Sequence, residues 1–103
     1  MRLDELKENI FEWAEDKGLD QAQPEKQMLK LMEEVGELAQ GLAKGNRDQV
    51  IDSIGDVFVV LTIFSMQLDL DLTECVEISY EEISDRKGQM INGVFVKESD
   101  ING

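Results

Sequence analysis

Carboxylates cluster at two places in this chain where a helix of a soluble protein would normally bury hydrocarbon. The first cluster is Glu33, Glu34 and Glu37 in the segment LMEEVGEL, and the second is Asp52 and Asp56 in the otherwise apolar segment VIDSIGDVFVVL. Holding these charges together away from water costs several kcal/mol per ion unless something neutralises them. A hard divalent cation is the simplest neutraliser, so the pattern indicates a metal-dependent enzyme.

The first cluster lies on a helix whose faces follow from the spacing of its residues. At about 100° per residue, Glu34 and Glu37 continue a stripe that begins with Gln27 and Lys30. Beside this stripe runs an apolar arc formed by Met28, Leu31, Met32, Val35, Leu38, Ala39 and Leu42. Glu34 borders the arc and Glu37 lies further round, so we expect both to turn inward and Glu33 to lie at the rim.

The second cluster lies on the next helix, where Asp52 and Asp56 are one turn apart on a face that they share with apolar residues. If the two helices pack antiparallel through their short connection, the two clusters face each other. Oxygen ligands without histidine or thiolate suit magnesium, with manganese as a substitute, and argue against zinc or copper. The absence of histidine also removes a di-iron bundle, whose ligands include histidine.

Helical periodicity and helix-breaking residues predict an all-α fold of four to five helices. The main segments span about residues 4–17, 25–44, 48–68 and 72–87, with ends uncertain by a few residues. Gly18, Gly45 and Gly88 are the expected stops, and Asp71 is the expected N-cap of the fourth helix. The tail MINGVFV is expected to form a short turn at Asn92-Gly93 between extended pieces.

The third helix is apolar on every face from Val57 to Met66, apart from Thr62 and Ser65. A helix of this kind is buried on all sides. The chain of 103 residues is expected to be a single domain, 1–103, with too few other helices to enclose this one. We therefore expect a homodimer or homotetramer that completes the core, and the alternative is a monomeric bundle with this helix in the middle.

Composition limits the partners and the compartment. With 23 acidic and 10 basic residues the net charge is −13, which would repel a nucleic-acid backbone. The single cysteine, Cys75, fits a reducing compartment. The start of the chain carries acids throughout and does not look like a signal peptide, and VFVVLTIF is shorter than the roughly 20 apolar residues of a membrane span. We expect a cytoplasmic protein with no membrane partner.

At these residues the sequence resembles the MazG-like, all-alpha nucleoside triphosphate pyrophosphohydrolases. The EExxE motif of that family is intact as Glu33-Glu34-Val35-Gly36-Glu37, and the segment KQMLKLMEEVGEL around it is also similar. The second family motif, ExxD, falls on Ser53-Ile54-Gly55-Asp56, so only its aspartate matches. The tail EISDRKGQMINGVFV resembles that of compact bacterial and phage members.

The resemblance implies magnesium-dependent hydrolysis of nucleoside triphosphates to the monophosphate and pyrophosphate. The implied metal ligands are Glu34, Glu37, Asp52 and Asp56, with Glu33 at the rim. Glu34, Glu37 and Asp56 are the expected catalytic residues. Because Ser53 stands where the family has glutamate, we expect Asp52, one turn before Asp56, to supply the missing ligand. The other outcome is a site that holds fewer or weaker metals.

Four other side chains are candidates for contacts with the substrate. Lys30, Arg86 and Lys87 are expected to bind its phosphates. Each also has a purely structural interpretation: Lys30 as the partner of Glu34, and the other two as charges that compensate a helix C-terminus. Trp13 is a weaker candidate for stacking on the base, because packing of the first helix against the core is the favoured role for it.

Three kinds of alternative function compete with this interpretation, and the first kind comprises two related enzymes. A dUTPase-like enzyme and a phosphoribosyl-ATP pyrophosphatase belong to the same all-alpha superfamily, although the compact tail and the DSIGD segment look less like either. A helical dimer that senses a nucleotide or divalent cation without catalysis is consistent with Ser53. A structural helical protein with a solvated acidic face is the third alternative.

Overall fold

The computed structural model describes residues 1–101, which are mainly helical. The elements in chain order are α1 (Leu3–Asp16), a 3₁₀ turn (Leu19–Gln21), α2 (Pro24–Lys44), α3 (Arg47–Gln67), α4 (Leu72–Ser84), β1 (Gly88–Ile91), β2 (Val94–Lys97) and α5 (Glu98–Ile101). The predicted all-α architecture with a short extended tail is confirmed. The chain divides into two compact units, Met1–Thr73 and a second that begins at Glu74.

Local signals set the helix ends in the first unit. Gly18 and Gly45 have φ angles of 74° and 67°, a left-handed conformation that glycine adopts without a Cβ penalty. The side chain of Asn46 caps α3 by accepting the backbone N–H of Gln49 at 3.2 Å. Asp71 caps α4 by accepting the N–H of Thr73 at 3.1 Å. These ends lie within a few residues of the predicted ones.

Helices α2 and α3 pack antiparallel through their short connection, as expected. Near the connection, Gly41 lies against Gln49 and Val50, and at the far end the side chain of Gln27 reaches the carbonyl of Val60. The residues of α2 that lose exposure recur at helical spacing: Gln27, Leu31, Glu34, Leu38 and Gly41. This line, which includes Leu31 and Leu38 from the edge of the apolar arc, is the side of α2 that contacts α3.

The apolar arc of α2 is therefore largely exposed in the single chain. Met28 is 40 % exposed, Met32 62 %, Val35 44 % and Leu42 75 %. The wheel identifies an apolar face correctly but does not say which element covers it. Within Met1–Thr73, these four side chains remain exposed.

In helix α3 the apolar stretch from Val57 to Met66 is buried or half-buried along its whole length, as its composition predicts. Ile51 and Ile54, nearer the start of the helix, are both more than half exposed. The buried hydroxyl of Thr62 donates to the carbonyl of Phe58 at 2.8 Å, so it needs no partner outside the helix. By length and composition α3 could also span a membrane, a criterion that the core helices of soluble proteins meet as well. The expectation that the protein has no membrane partner therefore stays a prediction from the sequence.

The second unit contains a hairpin in which β1 pairs antiparallel with β2. Asn92 and Gly93 have φ angles of 51° and 81°, as a two-residue turn of this type requires, so the predicted turn is confirmed. The expectation that α4 continues to Lys87 and stops at Gly88 is wrong. Gly88 is a strand residue opposite Lys97, and a Cβ there would meet the carbonyl of Val96 and the ring of Phe95.

Candidate active site

Glu34 is the most deeply buried carboxylate among the predicted site residues. It lies on the line of α2 that contacts α3, and only 5 % of the residue is exposed. Its Oε1 accepts from Lys30 Nζ at 3.2 Å. Its Oε2 is buried and has no hydrogen-bond partner in the protein. A buried carboxylate oxygen without a partner is costly, and it marks a position where a cation or donor would be bound favourably.

Lys30 only partly neutralises this site. Its side chain is 53 % exposed and it also contacts the Glu33 carboxylate at 3.5 Å. The hydrogen bond to Glu34, followed by the charge of Glu34, raises the pKa of Lys30, so the ammonium stays charged. Because solvent screens so exposed a cation, much of the cost of burying Glu34 remains.

Asp56 is the second carboxylate at this place. It is partly buried on α3. Burial raises the pKa of Asp56, and the negative charges of Asp52 and Glu34 raise it further. Glu37 contributes in the same direction. Asp52, Glu34 and Glu37 therefore all lie within electrostatic reach of Asp56.

Position 53, not position 52, faces the helix interface. Ser53 is 1 % exposed, whereas Asp52 is exposed. Adjacent residues on a helix point about 100° apart, so a carboxylate at position 52 does not occupy the place of one at position 53. Asp52 therefore does not take the buried position that faces α2.

The rest of the first cluster is on the surface. Glu37 is exposed rather than turned inward, and the side chain of Glu33 is 67 % exposed. Within residues 1–101, no three His, Cys, Asp or Glu side chains form a group that could hold a metal ion. The donor chemistry fits an oxygen-liganded divalent cation, and the unpartnered Glu34 oxygen fits it as well. Glu37 or Asp52 would have to change rotamer to complete the site.

Two glutamines join α2 to α3 on either side of Glu34 and Asp56. The Gln27 amide donates to the carbonyl of Val60 at 3.3 Å, and the Gln49 amide donates to the carbonyl of Glu37 at 2.8 Å. Sequence reasoning placed Gln27 on the glutamate stripe but gave neither glutamine a role. These contacts connect residues 33 and 12 positions apart, and no local pattern indicates them.

A second lysine–carboxylate pair, also missed from the sequence, lies elsewhere in the first unit. Lys7 Nζ donates to Asp71 Oδ1 at 2.8 Å and to Thr73 Oγ1 at 2.6 Å. The ammonium also lies 5.7 Å from the centre of the Phe11 ring. The side chain of Lys7 is only 10 % exposed, so this pair ties α1 to the start of α4.

The other residues predicted to contact the substrate lie on other elements of the chain. Trp13 is 51 % exposed, so it packs against the core only in part. Arg86 and Lys87 belong to the second unit, where they border an open groove of about 400 Å³. Arg86 pairs there with Glu82 at 3.6 Å, and the Lys87 carbonyl accepts the N–H of Glu98 at 2.8 Å.

Comparison with known proteins identifies a family that covers most of the chain. Residues 22–91 match the MazG nucleotide pyrophosphohydrolase domain. The chain is 50 % identical over 70 residues to the "Uncharacterized 18.2 kDa protein in rep-hol intergenic region" of Haemophilus phage HP1 (strain HP1c1). That match covers 67 % of this chain and 43 % of the phage protein, so the chain spans less than half the length of that relative. No solved structure matches the chain.

The domain match covers α2, α3, α4 and the first strand. It thus includes both acidic clusters, Lys30, and the Arg86-Lys87 pair. Family membership suggests a nucleotide pyrophosphohydrolase in general terms. The chain belongs to the MazG nucleotide pyrophosphohydrolase family.

Proposed function

We propose that the protein hydrolyses nucleoside or deoxynucleoside triphosphates to the monophosphate and pyrophosphate in a magnesium-dependent reaction. The observation that carries the proposal is the buried, unpartnered Oε2 of Glu34 beside Asp56, within the segment that matches the family. A buried carboxylate oxygen without a partner is costly, and a cation bound there would offset that cost. Nucleotide pool housecleaning is the role that fits this activity.

In this proposal Glu34 and Asp56 hold the cation, and Glu37 and Asp52 complete its ligands from the exposed side. Glu33 stays at the rim, where its carboxylate contacts the ammonium of Lys30. Magnesium is the proposed ion, with manganese as a substitute, because all the donors are carboxylate oxygens. The side-chain movements that this needs concern exposed residues and are small in cost.

The bound cation would neutralise the triphosphate and polarise the phosphoryl oxygens. The residues of the chain then have distinct tasks. Glu34 and Glu37 are the two candidate bases. Glu37 is exposed, so its carboxylate is the better placed of the two to accept a proton from the attacking water. Lys30, which is half exposed, can release Glu33 and bind a phosphate oxygen. Breaking the bond between the α and β phosphates yields the monophosphate and pyrophosphate.

Further contacts with the substrate come from residues that the sequence singled out. Arg86 and Lys87 are the proposed ligands of the terminal phosphates, which is supported by their positive charge in a strongly acidic chain. Trp13 remains the weaker candidate for stacking on the base, and its exposure leaves part of the ring available.

We also propose that the protein is a homodimer or homotetramer. The exposed apolar faces of α2 and α3 support this, since a single chain leaves Met32, Leu42, Ile51 and Ile54 more than half exposed. Large contiguous apolar patches are unusual on monomers. A cytoplasmic location, without nucleic-acid or membrane partners, remains a prediction from composition.

The experiment is pyrophosphate release from a panel of canonical and modified nucleoside triphosphates, with magnesium, with manganese and with a chelator. Including dUTP and phosphoribosyl-ATP in the panel separates the two related enzyme activities. We expect metal-dependent release that Asp56→Asn abolishes. No release from any substrate would contradict the proposal.

One observation favours a second function, a sensing module that binds a nucleotide or cation without catalysis. Ser53 puts a hydroxyl at the buried position where the family motif has a carboxylate. A sensor would be stabilised thermally by magnesium and nucleotide but would release no pyrophosphate. Asp52→Asn adds a direct check, because unchanged metal affinity and turnover would show that Asp52 does not replace the missing ligand.

A further inference from the structure

The two interhelical glutamine contacts form a matched pair. Gln27 on α2 donates to a backbone carbonyl of α3 at 3.3 Å, and Gln49 on α3 donates to a backbone carbonyl of α2 at 2.8 Å. Gln49 also donates to the side chain of Gln40 at 3.1 Å. The contact from Gln27 and the first contact from Gln49 therefore each link a side chain of one helix to the main chain of the other.

These contacts lie at opposite ends of the surface that holds the candidate site. Glu34 follows Gln27 by seven residues, and Asp56 follows Gln49 by seven residues. Because the helices are antiparallel, the two carboxylates lie between the two contacts. The Gln49 contact ends on the main chain of Glu37 itself, which is another proposed ligand.

The short connection Gly45-Asn46 limits sliding of one helix along the other at one end of the pair, and the rest of the interface is less directional than these hydrogen bonds. Its other contacts on α2 include Leu31 and Leu38, and apolar contacts are not directional. Hydrogen bonds require a defined distance and angle. Next to Gly41 the fit is also close, because a Cβ on Gly41 would lie 3.1 Å from Cγ of Gln49. The position of Gln49 is thus specified by packing as well as by its hydrogen bonds.

We propose that Gln27 and Gln49 are positioning residues that fix the axial register of α2 on α3 and so hold Glu34 and Asp56 opposite each other. The consequence for metal binding rests on the proposed function. Neither glutamine touches the substrate in this account. Each acts through the main chain of the helix that carries the carboxylates.

The test compares the double variant Gln27→Met/Gln49→Met with the wild type. Methionine keeps an unbranched side chain of similar length and removes the donor. Spin labels at Lys26→Cys and Arg47→Cys, in a Cys75→Ser background diluted with unlabelled protein, report the distance along the helix axes. Separate unlabelled samples report Mn²⁺ affinity. We expect a broader or shifted distance distribution and Mn²⁺ binding that is about tenfold weaker.

Gln67→Met is the matched control. Gln67 also donates its amide to a main-chain carbonyl, that of Leu19 at 2.9 Å, but this contact does not join α2 to α3. We expect it to lower the melting temperature while leaving both the label distance and the Mn²⁺ affinity at wild-type values.

The outcomes are distinct. An unchanged distance distribution in the double variant would overturn the proposal, as would equal changes in Gln67→Met, which would indicate general loosening. A changed distance with unchanged Mn²⁺ affinity would overturn the link to the carboxylates. If the wild type binds no Mn²⁺ but the double variant loses register, the proposed function fails while the positioning role is supported.

Discussion

The first unit contains two lysine–carboxylate pairs that are opposite in character. In the Lys7–Asp71 pair the lysine is buried, with 10 % of its side chain exposed, and the carboxylate is 44 % exposed. In the Lys30–Glu34 pair the lysine is 53 % exposed and the carboxylate is 6 % exposed. The buried member is the cation in one pair and the anion in the other.

The difference that matters is how completely each buried group is satisfied. Lys7 donates to Asp71 and Thr73 and lies near an aromatic ring. One oxygen of Glu34 pairs with a half-exposed lysine, and the other oxygen has no partner. A satisfied buried charge is consistent with a structural contact, whereas an unsatisfied one indicates a site that awaits a ligand. The predictions below separate these two roles, beginning with the largest effect.

Glu34→Gln is expected to have the largest effect on activity and almost none on stability. It removes a proposed cation ligand, so metal-dependent pyrophosphate release should fall by at least about 100-fold. Because the buried charge disappears and the amide can donate to nearby Asp56, the free energy of unfolding should not fall. Urea denaturation and a pyrophosphate assay on the same preparation measure both quantities.

Glu33→Gln is the control for that variant. It removes the same charge one residue earlier on α2, at a side chain that is 67 % exposed and shares the Lys30 contact. Activity within about threefold of wild type is expected for a solvated rim residue. Equal losses in the two variants would show that the charge of α2, rather than the buried position, is what matters.

Lys7→Met is expected to show the reverse pattern. It removes the hydrogen bonds to Asp71 and Thr73 and should lower the free energy of unfolding by about 1–2 kcal/mol. Turnover per folded molecule should be unchanged, because the pair is not part of the proposed site. Lys26→Met, at an exposed position of α2, is the control. A loss of turnover in fully folded Lys7→Met would remove the distinction between the pairs.

The Lys7–Asp71 pair also makes stability depend on pH. The hydrogen bond from Lys7, then the N–H of Thr73, lowers the pKa of Asp71 below its ordinary value of 3.8. Its contribution to stability is therefore complete above that value and is lost as pH falls through the folded-state pKa. The hydrogen bond to Asp71 raises the pKa of Lys7 above 10.5, so that contribution is complete below pH 10.5 and is lost only at higher pH.

Wild type should accordingly be more stable than Asp71→Asn at neutral pH, and the difference should become smaller as the pH falls below 3.8. Urea denaturation of both proteins over this pH range gives the answer, and the difference between them cancels the other carboxylates. If the difference in the free energy of unfolding does not depend on pH, Asp71→Asn destabilises the protein through altered packing rather than through the lost charge.

Lys30→Ala is expected to have the smallest effect. The exposed ion pair contributes less than about 1 kcal/mol to stability, so the metal-free protein should be nearly as stable as the wild type. If Lys30 binds phosphate, the KM for the triphosphate should rise several-fold with little change in kcat. Lys26→Ala controls for the loss of a positive charge on α2. An unchanged KM would indicate that Lys30 does not bind the phosphates and serves only as the partner of Glu34.

Features determined by neighbouring residues could be predicted from the sequence. The stops at Gly18 and Gly45, the cap at Asp71 and the turn at Asn92-Gly93 each depend on a few consecutive residues. The EExxE motif likewise indicated the family, which the domain match over residues 22–91 confirms.

Features that depend on distant partners could not be predicted. Lys7 and Asp71 are 64 residues apart, and nothing near either of them indicates the other. Glu34 and Glu37 were both expected to turn inward, yet α3 packs on the line through Glu34 and Gly41, and Glu37 is exposed. Hydrophobicity shows which face needs covering but not whether the same chain covers it.

The most direct test of the central claim is Mn²⁺ binding to the metal-free protein, followed by electron paramagnetic resonance of the free ion. The account predicts saturable binding to the wild type and to Glu33→Gln, and its loss in Glu34→Gln and in Asp56→Asn. Wild-type protein that binds no Mn²⁺, or the two variants binding it as tightly as wild type, would contradict the claim that the buried Glu34 oxygen is placed for a cation.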